Sequence, residues 1–440
     1  MEELLNSWVS TLNGYLWNYL IIFILIGAGL FFTMTTRCVQ LRMIPEMIKL
    51  VAGGVGNKTD NKQVSSFQAF CVSTASRVGV GNIAGVAIAV VLGGPAYYIR
   101  YGLNSPFLSI LFAILISVTF GLIYNSVQAN TLSAALATFD IPAMETSIVV
   151  AALAGLVVFG GIHRVAKLSE VLVPIMAGLY ILTALYVIIT NITQFPHVIY
   201  TIITSAFDPL AAGGGFMGAT MMNGIKRGLF SNEAGEGSVP NAAATATVAH
   251  PVEQGLVQAF GVFLDTLIIC TASAFIVLIV GDYSTTGLTG VALVQYNLAQ
   301  ELGSWAPYAV AVFIIMFSFS SIVGNYYYGE INISHLTDKK IYLQLFRVGV
   351  IAMTFLGGIA SLDLVWNLAD LFMGFLVLTN VSAIVRMGRQ AGLALDDYIA
   401  QKRAGIETPV FHRSLLPKQE GIIWWGDGQT TDSSAGKFDK

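Results

Sequence analysis

Long apolar stretches separated by short polar loops dominate the chain. The first stretch, residues 15–35, carries no charged side chain over the roughly 20 residues that a helix needs to cross a bilayer. Comparable stretches occur at residues 83–99, 105–123, 147–162, 168–190, 255–281, 305–328, 348–362 and 371–385. This pattern predicts an all-α, polytopic membrane protein.

Composition supports the same class. Of the 440 residues, 55% are hydrophobic and 11% are charged, whereas soluble domains have about 25% charged residues. The net charge of −3 gives no basis for nucleic-acid binding. Cys38, Cys71 and Cys270 lack the spacing of metal ligands and are read as small apolar fillers. We therefore expect no cofactor, with the lipid bilayer as a partner. The few histidines are dispersed and no nucleophile–base arrangement stands out, so we expect no enzymatic activity. A channel would need a filter-like run of charges or carbonyls, and the sequence has none.

Basic loops predict the orientation, because Lys and Arg concentrate on the cytoplasmic side of membrane proteins. The basic loops are residues 37–62, 163–167, 339–340 and 386–418. Their order predicts an inner (plasma) membrane protein with its N-terminus outside and its C-terminus in the cytoplasm. Residues 1–387 would form the transmembrane domain, and residues 388–440 a cytoplasmic tail.

One crossing is missing from this arrangement. Three crossings, near residues 66–94, 105–138 and 145–162, separate the first two basic loops, although two cytoplasmic loops require an even number. A crossing therefore appears to be lost between Gly94 and Tyr101. Alternatively, residues 105–138 cross twice, but their polar centre has no pair of turn-forming residues. We favour a single crossing there.

A polar, glycine-rich phrase occurs twice, as SRVGVGNIAG at 76–85 and KRGLFSNEAG at 226–235. Glycines within membrane helices permit close helix packing, or mark helix breaks at which a transporter binds its substrate. The polar residues in both phrases favour breaks, because charged side chains within a span are costly and usually functional. Free N–H groups suit a carboxylate, and free carbonyls suit an ammonium group or a cation. The phrases thus predict a site for a small zwitterion.

Several longer motifs resemble the alanine/glycine:cation symporter family, also called sodium:alanine symporters. They include SSFQAFCVSTASRVGVGNIAGVAIA, GGPAYYI, RGLFSNEAGEGS, HPVEQGLVQAFGVFLDTLIICT, SIVGNYYYGE and SLDLVWNLADLFMG. The resemblance implies a leucine-transporter-type fold: two inverted five-helix repeats with broken helices, after one extra N-terminal helix. The repeats would cover about 66–191 and 208–386. It also implies sodium-coupled uptake of alanine or glycine by alternating access.

The chain departs from the family at residues 92–99. The family's LGGP and GGPAYYI motifs flank a further helix, but here they are fused into LGGPAYYI. This agrees with the missing crossing and predicts about ten transmembrane helices where the family has eleven. A smaller departure is Val80, at which family members often have threonine. The chain is therefore either a working symporter or a transport-defective truncated variant.

The resemblance also implies a set of site residues. Those for the substrate are Gly79, Gly81, Asn82, Gln128, Phe230, Ser231 and Asn232. Those for sodium are the carbonyls of Ala75 and Val78 and the hydroxyls of Ser320 and Ser321. From the residues alone, Gln128 is equally well an interhelical hydrogen-bonding group and Phe230 a packing residue. The serines are equally well bonded to the preceding helical turn.

Charged residues near the second phrase leave a further alternative open. Arg77, Lys226 and Arg227 need counter-charges, for which Glu233, Glu236 and Asp265 are the nearby candidates. These carboxyls either form gating pairs with the cations or only lie at a cytoplasmic mouth. The same carboxyls are candidate relay groups for a proton-coupled symporter. For Asp363 and Asp370, which share a helix face, we expect a structural role rather than ion binding.

Overall fold

The structure is a computed structural model that describes residues 2–54, 99–100, 103–160, 178–206, 219–243, 248–279 and 286–417. All regular elements within these ranges are helical, which confirms the all-α class. In chain order the helices are α1 (Glu2–Thr35), α2 (Val39–Arg42), α3 (Ile44–Gly54), α4 (Pro106–Ala137), α5 (Ala143–Gly160), α6 (Gly178–Thr190), α7 (Phe195–Ala206), α8 (Ala219–Asn232), α9 (Val239–Ala243), α10 (Pro251–Ile279), α11 (Gly290–Leu302), α12 (Ala306–Leu336), α13 (Lys340–Ile359) and α14 (Leu362–Arg403).

Six of these helices are long and apolar enough to cross a membrane: α1, α4, α10, α12, α13 and α14. Helices α6 and α7 bend by 105° at a short break and together form a seventh span or a re-entrant loop. The multi-pass prediction is thus confirmed within the described residues. The first glycine-rich phrase and the fused motif at 92–99 lie mostly or wholly outside them.

Helix α4 runs without a turn through the polar stretch that might have divided it. One polar group of this stretch bonds to the end of α13: the Asn130 amide donates to the carbonyls of Gly357 (3.0 Å) and Ala360 (2.9 Å). Gly357 lets the helices touch, since a Cβ there would lie 2.3 Å from the Cα of Ser126. Residues 106–137 are therefore one continuous helix, as a single crossing requires.

The largest apolar core joins α1, α4, α12 and α14 around one side of α8. Trp17, Phe112, Tyr328 and Met373 are among its fully buried side chains, and α8 contributes Leu229. Close packing of such buried side chains stabilises the arrangement of the helices. The core holds the end of α8 among these four long helices.

Helix α14 continues to Arg403, across the predicted boundary between residues 387 and 388. Beyond it, the chain returns to the loop before α10, where the Phe411 N–H donates to the Ala249 carbonyl at 3.0 Å. His250 is buried here; its Nδ1 accepts from the Val252 N–H and its Nε2 lies 3.2 Å from Asp397. Burial lowers the pKa of His250 below its ordinary value of 6.5, against the opposing effect of Asp397.

We expect the contact between the segment around Phe411 and the loop before α10 to weaken in acid. Because the folded-state pKa of His250 is lowered, the stability that neutral His250 contributes to this contact is fully present above pH 6.5 and is lost as the pH falls below that value. Hydrogen-exchange protection of the Phe411 amide, corrected for intrinsic exchange, should therefore decrease from about pH 7 to about pH 5. In His250→Asn, which keeps a cap acceptor but does not titrate, the decrease should be smaller. Equal protection of the wild-type amide at both pH values would contradict this prediction.

Candidate substrate site at the second helix break

The second glycine-rich phrase ends a helix. Helix α8 stops at Asn232, residues 233–238 are not helical, and α9 begins at Val239. Backbone φ is positive at Glu233 (54°), Gly235 (98°) and Gly237 (84°), and no helix passes through such angles. The Asn232 Oδ1 accepts from the Ala234 N–H at 2.9 Å and caps the turn. The predicted break is confirmed for this phrase.

Helix α10 holds the last turn of α8 through polar side chains. The Ser231 hydroxyl donates to Asp265 Oδ2 at 2.9 Å, and the Asn232 amide donates to Thr266 Oγ1 at 3.0 Å. Ser231 also lies 3.2 Å from the Cys270 sulfur. Asp265 is buried, so the contact fixes Ser231 in a region with little water. Two of the predicted substrate residues are thus held by α10.

Phe230 lies in an aromatic cluster. Its ring centroid is 4.7 Å from that of Tyr124 on α4 and 4.9 Å from that of Trp366 on α14. The Arg227 guanidinium stacks over Trp366, with its Cζ 4.4 Å from the ring centroid. The cluster therefore connects the end of α8 to both neighbouring helices.

Asp370 provides the counter-charge for α8. One of its oxygens contacts Arg227, and the other lies 3.4 Å from Lys226 Nζ. For Lys226 and Arg227, the expectation that Glu233, Glu236 or Asp265 would be the counter-charge is wrong. The reason is geometric: α14 brings Asp370 to the face of α8 that carries both cations. Arg77, the third cation of that expectation, lies outside the described residues.

The nearby carboxyls bind hydroxyl groups. Glu236 Oε2 accepts from the Tyr124 hydroxyl at 2.9 Å, and Glu233 accepts from the Ser238 hydroxyl at 2.5 Å. Both carboxyls are buried. Neither forms an ion pair with Lys226 or Arg227, which both contact Asp370 instead.

Three π-helical turns surround this break: Trp17–Ile21 in α1, Thr119–Tyr124 in α4 and Leu264–Cys270 in α10. Each of these turns contributes a residue that contacts the site: Tyr124 from α4, Asp265 from α10 and Trp17 from α1. The Trp17 indole N–H donates to the Asp370 carbonyl at 3.2 Å, and its ring lies 5.3 Å from Lys226 Nζ. Such turns are rare and occur often at functional sites. Their convergence marks the end of α8 as the candidate functional site.

Comparison with known proteins bears on this site. The model of the sodium:alanine symporter family matches residues 1–95 and 91–413. The chain belongs to this family. Membership makes it a transport protein that takes amino-acid and cation substrates, rather than a member of an enzyme family.

Named relatives cover nearly the whole chain. The probable sodium/glutamine symporter GlnT of Bacillus subtilis is 42% identical over 477 residues, covering 99% of each chain. The putative sodium/proton-dependent alanine carrier YrbD of the same organism is 35% identical, covering 95% of this chain and 97% of the relative. The sodium/alanine symporter AgcS of Methanococcus maripaludis is 32% identical, covering 86% and 94%.

The structure describes only some of the remaining predicted site residues of this sodium:alanine symporter family member. Gln128 lies on α4 one turn beyond Tyr124 and makes no hydrogen bond with another described residue. Ser321 is buried on α12 and likewise has no hydrogen-bond partner among described residues. Ser320 belongs to the same helix, but its side chain lies outside the description. So do the substrate residues Gly79, Gly81 and Asn82 and the sodium-site residues Ala75 and Val78.

Sequence reasoning missed three residues of the site: Tyr124, Trp366 and Asp370. Asp370 lies 143 residues from Arg227, so no local spacing could link them. The available signal was weak: an aspartate seven residues after Asp363 in an apolar stretch, preceded by a tryptophan. An intramembrane carboxylate with cations elsewhere in the membrane domain is a reason to look for a pair.

Proposed function

We propose that this protein couples sodium entry to the uptake of a small neutral amino acid, alanine or glycine, by alternating access. The proposed location is the plasma membrane, with the N-terminus outside and the C-terminus in the cytoplasm. The substrate would bind at Gly79, Gly81, Asn82, Gln128, Phe230, Ser231 and Asn232, and sodium at Ala75, Val78, Ser320 and Ser321.

The observation that carries the proposal is the interruption of α8 after Asn232 inside a packed helical core. Non-helical backbone at membrane depth is tolerated where it is buried in protein or lines a cavity. The C-terminal end of α8 concentrates carbonyl groups, which attract an ammonium group or a cation. A broken helix of this kind is the usual substrate site of secondary transporters.

Phe230 and its aromatic neighbours favour a small substrate. The ring is held between Tyr124 and Trp366, so a larger side chain must displace one of them. Discrimination by such contacts is modest, at about 1–3 kcal/mol per methylene. Because one relative is named for glutamine and another for alanine, competition between glycine, alanine and glutamine is the informative assay.

Sodium coupling is tested by ion replacement. Radiolabelled alanine uptake into proteoliposomes should fall at least tenfold when external sodium is replaced by choline at a constant pH gradient, about 1.4 kcal/mol of coupling. Unchanged uptake would reject the sodium assignment and favour the proton-coupled alternative. Unlabelled glycine and glutamine, added in the same assay, rank the substrates.

The missing helix is a separate proposal. The family model matches in two pieces that meet at residues 91–95, where the fused LGGPAYYI motif stands. This supports the loss of a segment between Gly94 and Tyr101. Genomic sequence across codons 92–96 decides whether the encoded protein has the helix. If it does not, the same uptake assay separates a working symporter from a transport-defective variant.

A further inference from the structure

Glu236 is a carboxyl group at the centre of the helix break. The residue is fully buried, and its Oε2 accepts a hydrogen bond from the Tyr124 hydroxyl at 2.9 Å. Its Oε1 is also buried and has no hydrogen-bond partner in the described part of the chain. One oxygen is thus held in place by α4, while the other points into the protein without a donor.

Among the residues that the structure describes, the groups that face Glu236 are acidic or neutral. On its own segment is Glu233, a second buried carboxyl that accepts from Ser238. From α4 comes the Tyr124 hydroxyl. From α14 comes Asn380, a neutral amide that donates to the Gly235 carbonyl at 2.7 Å. The neighbourhood is therefore acidic or neutral.

The other charged groups near the break have different partners. Lys226 and Arg227 both contact Asp370 on α14. Asp265 on α10 accepts from Ser231. The cations of α8 are therefore committed to Asp370, and Glu236 forms no ion pair among the described residues.

The relative cost of burying the charged and the neutral carboxyl determines the protonation state of Glu236. A buried carboxylate without a cation costs several kcal/mol even after the protein relaxes. The neutral acid leaves one O–H without an acceptor, at a cost of about 1–3 kcal/mol. The neutral form is the cheaper of the two, with Tyr124 donating to Oε2 and the proton on Oε1.

We propose that Glu236 is a proton-binding site of the transport cycle and that Tyr124 is its positioning residue. This deepens the proposed function and rests on it. When the site faces one side of the membrane, hydronium transfers a proton to Oε1, which forms an O–H bond and leaves water. When the site faces the other side, this O–H bond is cleaved and the proton passes to water. One proton therefore crosses the membrane with the amino acid.

The test uses the full chain in proteoliposomes, with alanine uptake measured against pH at a fixed sodium gradient. Wild-type uptake should fall about tenfold per pH unit on the alkaline limb, as for loss of one required proton. Glu236→Gln keeps the shape of the neutral acid, so its uptake should persist and vary by less than about twofold over the same range. Glu301→Gln is the matched control; Glu301 lies on α11 and accepts from Asn191 at 2.7 Å, and this variant should keep the wild-type profile.

Tyr124→Phe tests the positioning role. Loss of the donor to Oε2 should displace the alkaline limb along the pH axis, whereas a purely structural role would lower uptake equally at all pH values. A pH-sensitive dye enclosed in the liposomes should report acidification when alanine is added to the wild-type protein. Its absence would overturn the proposal even if Glu236→Gln failed to fold.

Two further outcomes would overturn it. One is that Glu236→Gln keeps the wild-type pH profile. The other is that it raises the KM for sodium with the pH profile unchanged, which would make Glu236 a sodium ligand. Failure of the proposed function gives a different result from failure of this inference, because wild-type protein would then take up no alanine with either a sodium gradient or a proton gradient. In that case infrared spectroscopy still tests the proton: a protonated-carboxyl band must be present in the wild type and lost in Glu236→Gln.

Discussion

Asp370→Asn is expected to abolish most uptake and to lower the free energy of unfolding by about 3–5 kcal/mol, the usual effect of removing one partner from a buried ion pair. The substitution leaves the Lys226 ammonium, with a side chain only 10% exposed, without a counter-charge. Arg227 suffers less, because its side chain is 40% exposed and keeps its stacking on Trp366. The measurement is alanine uptake together with the apparent melting temperature in detergent.

Two variants separate charge from shape in this prediction. Adding Lys226→Met to Asp370→Asn removes the uncompensated charge, so part of the lost stability should return. Asp363→Asn is the matched control, because Asp363 lies on the first turn of the same helix and is exposed. Equal losses in Asp363→Asn and Asp370→Asn would show that the ion cluster has no special role.

Much of the fold could be predicted from hydrophobic pattern. Six long apolar stretches became six long helices because each satisfies its own backbone hydrogen bonds, which the bilayer requires. The continuous helix over residues 106–137 was also predictable, although the reason was not. Asn130 stays within a helix because α13 offers two carbonyls, a tertiary contact that local sequence does not contain.

The break in α8 was predictable because its cause is local. After Glu233, which has the first positive φ, Gly235 and Gly237 tolerate the positive φ of the break, and the repeated phrase includes Gly235. The partners of the break were not predictable. Asp370, Trp366 and Tyr124 reach α8 only through helix packing, and proximity in sequence favoured the wrong counter-charges.

Gly237→Ala should have the second-largest effect. Gly237 has a φ of +84°, and a Cβ there would lie 2.6 Å from Phe112 Cζ and 2.8 Å from Asn380 Oδ1. The left-handed backbone costs an alanine about 1–2 kcal/mol, and overpacking adds about 1–3 kcal/mol. Asn380 cannot move freely, since its amide holds the Gly235 carbonyl. We expect a lower melting temperature and a large loss of alanine uptake.

Alanine variants of two other glycines separate the backbone cost from the packing cost. Gly235→Ala meets only the backbone cost, because its φ is +98° but the nearest atom, Leu25 Cδ2, is 3.5 Å away. Gly255→Ala on α10 meets neither cost, with nothing within 4 Å, and should stabilise the helix by up to about 1 kcal/mol. The melting temperatures should therefore rank Gly255→Ala highest, then Gly235→Ala, then Gly237→Ala. Adding Phe112→Leu to Gly237→Ala should recover part of the lost melting temperature. Equal melting temperatures for Gly235→Ala and Gly237→Ala would contradict this prediction. They would mean that Phe112 and Asn380 move aside without cost and that their packing does not hold the break.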